Sequence, residues 1–147
     1  MQTVFRLVSA AIIALVAACS SYSPALHDAP QGKSVVYEIP VERAQRIVLT
    51  VMSSHFAGRE ISPLPAPAIG YTTYTRMLLD TWSTTVTITP VSAKVDGRDL
   101  QAVRIETQGS GSSVVTGRTI FESFKDRLRT ELDNTGSMRF AERYSIN

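Results

Sequence analysis

The chain has few of the residues on which disulfides and metal centres depend. It contains a single cysteine in 147 residues, so no disulfide can form within it and cysteine-cluster zinc or iron–sulfur sites are excluded. Its two histidines leave little for a histidine-based metal site. Charged residues make up only 19% of the chain and hydrophobic residues 44%, a composition typical of one globular domain rather than a disordered chain.

The charge balance argues against a nucleic-acid partner. Arg6 is the only charged residue among the first 18, so the remaining residues carry 14 basic and 13 acidic side chains. A protein that follows nucleic-acid phosphates needs a surplus of lysine and arginine on one face. We therefore expect this chain to bind no nucleic acid.

The N-terminus has the organisation of a targeting segment. Residues 1–6 carry one positive charge, and residues 7–18 form an apolar run of twelve. A membrane-spanning helix needs about 20 apolar residues, so this run is too short to span but suits the core of a signal peptide. The run ends in small residues directly before Cys19, which is the only cysteine.

Residues 16–19 (VAAC) resemble the lipobox of the bacterial lipoproteins. The resemblance implies that residues 1–18 are a lipoprotein signal peptide that is cleaved before Cys19. It also implies that the Cys19 thiol carries diacylglycerol and that its amine carries an acyl chain such as palmitate. The alternative is an ordinary secretory signal with Cys19 as a core thiol. Ser20 rather than aspartate follows Cys19, which by the Gram-negative sorting rule implies the periplasmic leaflet of the outer membrane.

The segment after the lipobox predicts a tether. Residues 19–34 contain Cys19 followed by serines, prolines and a glycine, without an apolar period. The fourteen residues 20–33 would span about 20 Å root-mean-square, which would let a domain stand off the membrane. His27 and Asp28 are expected to be solvated.

Residues 35–136 predict one domain with the element order β-α-β-β-β-α. Alternating and helical apolar periods predict four strands and two helices. The strands are expected over 34–39, 71–79, 82–95 and 100–107, and the helices over 41–56 and 118–134. Asp96-Gly97 indicates a hairpin, and Thr119 with Glu122 a capping box.

These elements favour an α+β two-layer sandwich. Both helices would lie on one face of a four-stranded, mostly antiparallel sheet, and residues 137–147 would form a polar C-terminal tail. The prolines within residues 63–67 predict a polyproline II connection, and residues 108–113 a flexible loop. The element order is similar to that of small outer-membrane lipoproteins and of the C lipoprotein in the barrel-assembly machinery. This resemblance rests on no residue motif and implies no functional residues.

The strongest surface candidate is the polar face of the sheet. Threonines alternate with apolar residues along one strand, and an aromatic and a basic side chain are expected beside them. A plain solvated sheet is the alternative to a partner-binding surface. The candidate residues are Tyr74, Arg76, Thr85, Thr87 and Thr89.

The chain shows little sign of catalytic chemistry. No GxSxG elbow or phosphate-binding GK[ST] motif is present. His55, the only histidine inside the domain, is expected on the inward helix face near a helix C-terminus, where the dipole favours its cationic form. We therefore predict a lipid-anchored, non-enzymatic binding or assembly module that binds another envelope protein, without cofactor or metal.

Two alternatives remain open. The first is a small periplasmic hydrolase with His55 as general base, which would need a carboxylate such as Glu60 or Asp80 nearby. The second is a carrier of an apolar molecule held between the helices and the sheet.

Overall fold

The computed structural model describes residues 20–22, 25–77, 80–112 and 115–147 of the chain. Residues 1–18, for which the sequence predicts a signal peptide, and Cys19 lie outside the described residues. None of the described helices is long and apolar enough to cross a membrane. The elements are β1 (Ser20–Tyr22), β2 (Ser34–Tyr37), α1 (Val41–His55), β3 (Ile61–Pro63), β4 (Gly70–Met77), β5 (Asp80–Val95), β6 (Arg98–Gly111), α2 (Thr116–Asp133), β7 (Met138–Ala141) and β8 (Arg143–Ile146).

The fold is α+β, with two helices and an antiparallel sheet, which confirms the predicted class. The described strands lie in the order β3-β4-β5-β6-β2-β7, with β1 paired to β6 and β8 to β5. Strands β4, β5 and β6 form the predicted meander. The described residues form eight strands where the sequence predicts four, because β1, β3, β7 and β8 are three or four residues long and too short to show an alternating pattern.

The helices form where the apolar period predicts them. The helix α1 buries one stripe, and Pro40 occupies its N-cap position, where no backbone donor is lost. The helix α2 begins at Thr116, two residues before its predicted start. The predicted capping box is therefore wrong: Thr119 lies inside the helix, and its hydroxyl donates to the Val115 carbonyl at 3.0 Å.

A main cluster of buried side chains joins both helices to the sheet. It takes long aliphatic and aromatic residues from the helices and branched residues from β5 and β6. Its members are Leu26, Tyr37, Ile39, Ala44, Val48, Val51, Met52, Phe56, Val86, Ile88, Val103, Ile105, Phe124, Leu128 and Leu132.

Strand β5 changes its buried side halfway along. Val86 and Ile88 belong to the main cluster, whereas Val91, Ala93 and Val95 belong to a second cluster. Because successive side chains in a strand point to opposite faces, this change from even to odd positions moves burial to the other face of the sheet. The second cluster consists of Val36, Val91, Ala93, Val95, Ala102 and Ala141.

The C-terminal strands β7 and β8 complete the second cluster. Ser34 of β2 pairs with Ala141, and Val91 of β5 pairs with Ile146. Between these pairings, the Glu142 amide donates to the Lys94 carbonyl at 2.8 Å. Residues 137–147, for which the sequence predicts a polar tail, therefore contain two strands of the sheet.

Strand β6 extends through the predicted loop as far as Gly111. Its glycines allow close packing: a Cβ on Gly109 would lie 2.7 Å from Trp82 Cζ2, and one on Gly111 would lie 2.1 Å from the Thr81 carbonyl oxygen. The prediction of a flexible loop over 108–113 is therefore wrong for its first four residues, because these glycines serve close approach and not mobility.

Two turns show the local effect of proline and glycine. Asp96 and Gly97 both have positive φ, 48° and 76°, and connect the paired residues Val95 and Arg98, which confirms the predicted hairpin. In the proline segment, Pro63 ends β3 and the Ala68 amide donates to the Pro65 carbonyl at 3.1 Å. The segment is thus a strand end and a turn, not a polyproline II connection.

Candidate functional site

The strand register brings the five surface candidates onto one side of the sheet. Tyr74 is opposite Ser83, and Arg76 is opposite Thr81. The side chains of β4, β5 and β6 that alternate with those of the main cluster form what we call the open face. It contains Thr72, Tyr74, Arg76, Ser83, Thr85, Thr87, Thr89, Arg104, Glu106, Gln108 and Ser110.

The hydroxyl groups of the open face bind one another across the strands. The Thr72 and Thr85 hydroxyls lie 2.9 Å apart, and those of Ser83 and Ser110 lie 2.8 Å apart. These pairs restrict the rotamers of the side chains, which are short. This part of the face is therefore ordered and does not protrude from the sheet. Tyr74 contrasts with them, because 69% of its surface is exposed.

Arg104 lies where the open face meets the C-terminal strands. Its guanidinium stacks 4.5 Å above the Tyr144 ring, donates to the Tyr144 hydroxyl, and binds the Glu106 carboxylate at 2.8 Å. One positive charge is thus shared between an aromatic ring and an acid. No local pattern indicates this contact, because Tyr144 lies forty positions after Arg104.

A cavity that the sequence analysis missed lies beside the segment we call the N-terminal strap, residues 25–29. The cavity has a volume of about 330 Å³ and is also lined by β2 and by residues 104–107 of β6. Leu26 of the strap is buried in the main cluster. The strap is therefore packed against the domain, unlike the flexible tether predicted for this stretch.

The strap also covers a polar group. His27 Nε2 lies 2.9 Å from an Asp133 carboxylate oxygen, at ion-pair distance but without the alignment of a hydrogen bond. Its side chain is only 14% exposed, so the prediction of a solvated His27 is wrong. Tyr37 lies beside it, with ring centroids 6.3 Å apart, and its buried hydroxyl has no hydrogen-bond partner among the described residues.

The Tyr37 phenol stays neutral in this environment. Burial raises the pKa of Tyr37 far above its ordinary value, and the nearby Asp133 carboxylate adds to the rise. A neutral, buried hydroxyl without an acceptor carries a desolvation cost and favours no chemistry. Asp133 and Tyr37 are 96 positions apart, so no local pattern could have indicated this arrangement.

His55 lies in an aromatic setting. Its ring contacts Phe56 and Phe124, with centroids 4.8 and 5.7 Å away, and its Nε2 lies 3.3 Å from the Ile120 carbonyl oxygen. Burial lowers the pKa of His55; the hydrogen bond to Ile120 opposes this effect, and the Arg127 charge adds to it. The expectation that the cationic form would be favoured is therefore not met, because burial disfavours the charged ring.

The alternatives to a binding module gain nothing from this geometry. His55 Nε2 pairs with a carbonyl, where a general base would need an orienting carboxylate, and the main cluster fills the space between helices and sheet. Within the described ranges, no group of three or more histidine, cysteine, aspartate or glutamate side chains could hold a metal ion. The hydrolase and the carrier stay predictions.

Comparison with protein-family models, with curated proteins and with solved structures gave no significant match. The assignment of function therefore depends on the residues of this chain alone.

Proposed function

We propose that the chain is a lipid-anchored envelope protein whose open face binds another envelope protein. It acts as a non-enzymatic binding or assembly module on the periplasmic side of the outer membrane. The sequence of residues 16–19, with Cys19 as the lipidated residue, supports the membrane attachment.

The exposure of Tyr74 carries the proposal for the open face. An aromatic ring that is 69% exposed stands among short hydroxyl side chains that already bind one another. Tyrosine is enriched at protein interfaces because it buries a large apolar area and loses little conformational entropy. The surrounding pairs are preorganised, so a partner would pay little to order them.

The proposal includes the predicted layering. Both helices would form one layer, leaving the open face uncovered on the other side of the sheet. Its support is that α1 and α2 share the main cluster with Val86 and Ile88, whereas Thr85 and Thr87 alternate with these residues.

Metabolic labelling tests the membrane attachment. Cells grown with a clickable palmitate analogue should incorporate it into the wild-type chain, while the Cys19→Ala variant should stay unlabelled and leave the membrane fraction. Equal labelling of both chains would contradict lipidation at Cys19.

Site-specific photocrosslinking tests the open face. A photoreactive amino acid at Tyr74 should give one discrete crosslinked product in intact cells. The same group at Ser53, exposed on α1, is the matched control and should give none. Identical product patterns from the two positions, or no product from Tyr74, would contradict a partner on this face.

A further inference from the structure

The strand β1 fixes how far the domain can stand from its lipid. Ser20 pairs with Gly111, Ser21 with Ser110, and Tyr22 with Gly109. Residue 19 directly precedes Ser20, and consecutive Cα atoms are about 3.8 Å apart. A lipid on Cys19 would therefore lie at the end of the sheet where β6 finishes.

Most of the segment predicted as a flexible tether lies after β1, so it cannot increase the distance between Cys19 and the domain. Residues 23–33 connect β1 to β2, and both of these strands pair with β6. Any extension of this connection moves the chain between two strands of one sheet. It adds no length between the lipid and the domain.

The same end of the sheet has a defined composition, and we call it the lipid-proximal end. Arg76 and Thr81 are paired there, and the Ser112 amide donates to the Thr81 carbonyl at 3.1 Å. The start of α2 also belongs to it, because Gly117 packs against Trp82 so closely that a Cβ would lie 2.2 Å from the indole.

We propose that the lipid-proximal end rests directly on the phospholipid headgroups of the membrane that holds the lipid. This inference rests on the proposed lipidation of Cys19. Val115 suits such a contact, since its apolar side chain is 78% exposed just before α2. Arg76 is exposed and takes part in none of the ion pairs of the described residues, so its guanidinium is available to anionic headgroups.

The first turn of α2 fits this orientation. It contains no acidic side chain, so it brings no negative charge that would repel lipid phosphates. From Trp82 to Lys94, β5 rises about 40 Å at about 3.3 Å per residue. Asp99, which pairs with Lys94, would therefore lie far from the bilayer.

Fluorescence quenching in vesicles tests the orientation. The lipidated full-length chain is purified as two single-cysteine variants, Val115→Cys and Asp99→Cys. Because the lipid occupies Cys19, the introduced thiol is the only one available to a fluorophore. Each variant is reconstituted in phosphatidylethanolamine–phosphatidylglycerol vesicles that contain a headgroup nitroxide lipid. We expect quenching at position 115 several-fold stronger than at position 99.

A charge reversal tests the contribution of Arg76. Arg76→Glu in the Val115→Cys background should reduce quenching at position 115. Arg98→Glu, an exposed arginine beside the far hairpin, is the control and should leave it unchanged. Equal effects of the two reversals would contradict a specific role for the lipid-proximal end.

The outcomes separate the inference from the proposed function. One fluorophore per chain with equally weak quenching at both positions would overturn the docking and leave the lipidation intact. Two fluorophores per chain would show that Cys19 is a free thiol, and then both proposals fail.

Discussion

The main cluster and the second cluster occupy opposite faces of one sheet and are built from different side chains. The main cluster contains Phe56 and Phe124 beside long aliphatic residues, several of which come from the two helices. The buried members of the second cluster are valines and alanines, and all of them lie on strands of the sheet. Two neighbouring residues of β2 divide between them, with Tyr37 in the main cluster and Val36 in the second. A single strand can thus contribute to two clusters when the side chains on both of its faces are apolar.

Truncation of an aromatic side chain in the main cluster should have the largest effect. Phe124 of α2 is fully buried in the main cluster. Phe124→Ala should lower the free energy of unfolding by about 3–5 kcal/mol, measured by urea denaturation. Ser123→Ala, exposed on the same helix, should change it by less than about 0.5 kcal/mol. A loss below about 1 kcal/mol at Phe124 would mean that the main cluster can collapse around the cavity.

Truncation in the second cluster should cost less. Val91 is fully buried, and Val91→Ala should lower the free energy of unfolding by about 2 kcal/mol in the same assay. Thr89→Ala is the matched control, because Thr89 points to the same side of β5 but lies on the open face. Its cost should stay below about 0.5 kcal/mol. Similar costs at the two positions would show that the boundary between second cluster and open face is misplaced.

Removal of the unpartnered phenol should have a small effect of opposite sign. Tyr37→Phe keeps the packing and removes a buried hydroxyl without an acceptor, so it should raise the free energy of unfolding by as much as about 1 kcal/mol. Tyr144→Phe is the comparison, because it removes a hydroxyl that Arg104 binds and should cost about 1 kcal/mol. Destabilisation by Tyr37→Phe would indicate that this hydroxyl has a bound partner in solution.

The smallest effect should come from titration of His55. Its lowered pKa means that the folded state binds fewer protons than the unfolded state, whose histidine has a pKa of about 6.5. The contribution of neutral His55 to the free energy of unfolding should therefore be fully present above that pKa and should decline as the pH falls below it. Thermal unfolding at about pH 7 and about pH 5, which bracket the pKa of an ordinary histidine, measures this decline. His55→Gln should make the loss of stability between the two pH values smaller. An unchanged slope would assign the acid sensitivity to groups other than His55.

The sequence could predict the elements with long periodic patterns. The helices α1 and α2 carry one apolar stripe each, and β4, β5 and β6 alternate over eight residues or more. The hairpin at Asp96-Gly97 is encoded by two residues that accept positive φ. The placement of Tyr74 beside Ser83 follows from this meander, so the residues of the open face could be predicted from the sequence.

The remaining strands depend on partners that are distant in the chain. Strands β1, β3, β7 and β8 are short, and each pairs with a sheet edge that exists only in the folded domain. The second cluster left a readable signal in the alternation of Val91, Ala93 and Val95, but its partner Ala141 lies in a polar stretch. The contact of His27 with Asp133 spans 106 positions and has no local signature.

The pairing of the C-terminal strands sets the order in which the domain can fold. Ser34 pairs with Ala141, which lies 107 positions later, whereas β4, β5 and β6 pair through short turns. Closing a long loop costs entropy before its contacts form, so local hairpins assemble first and distant pairings follow. During synthesis, which starts at the N-terminus, the meander can form early. The pairing of β2 with β7 and of β5 with β8 has to wait until the C-terminal strands have been made. Until then the apolar side chains of the second cluster stay open to other chains, and a chaperone that binds short valine- and alanine-rich strands would find its target there.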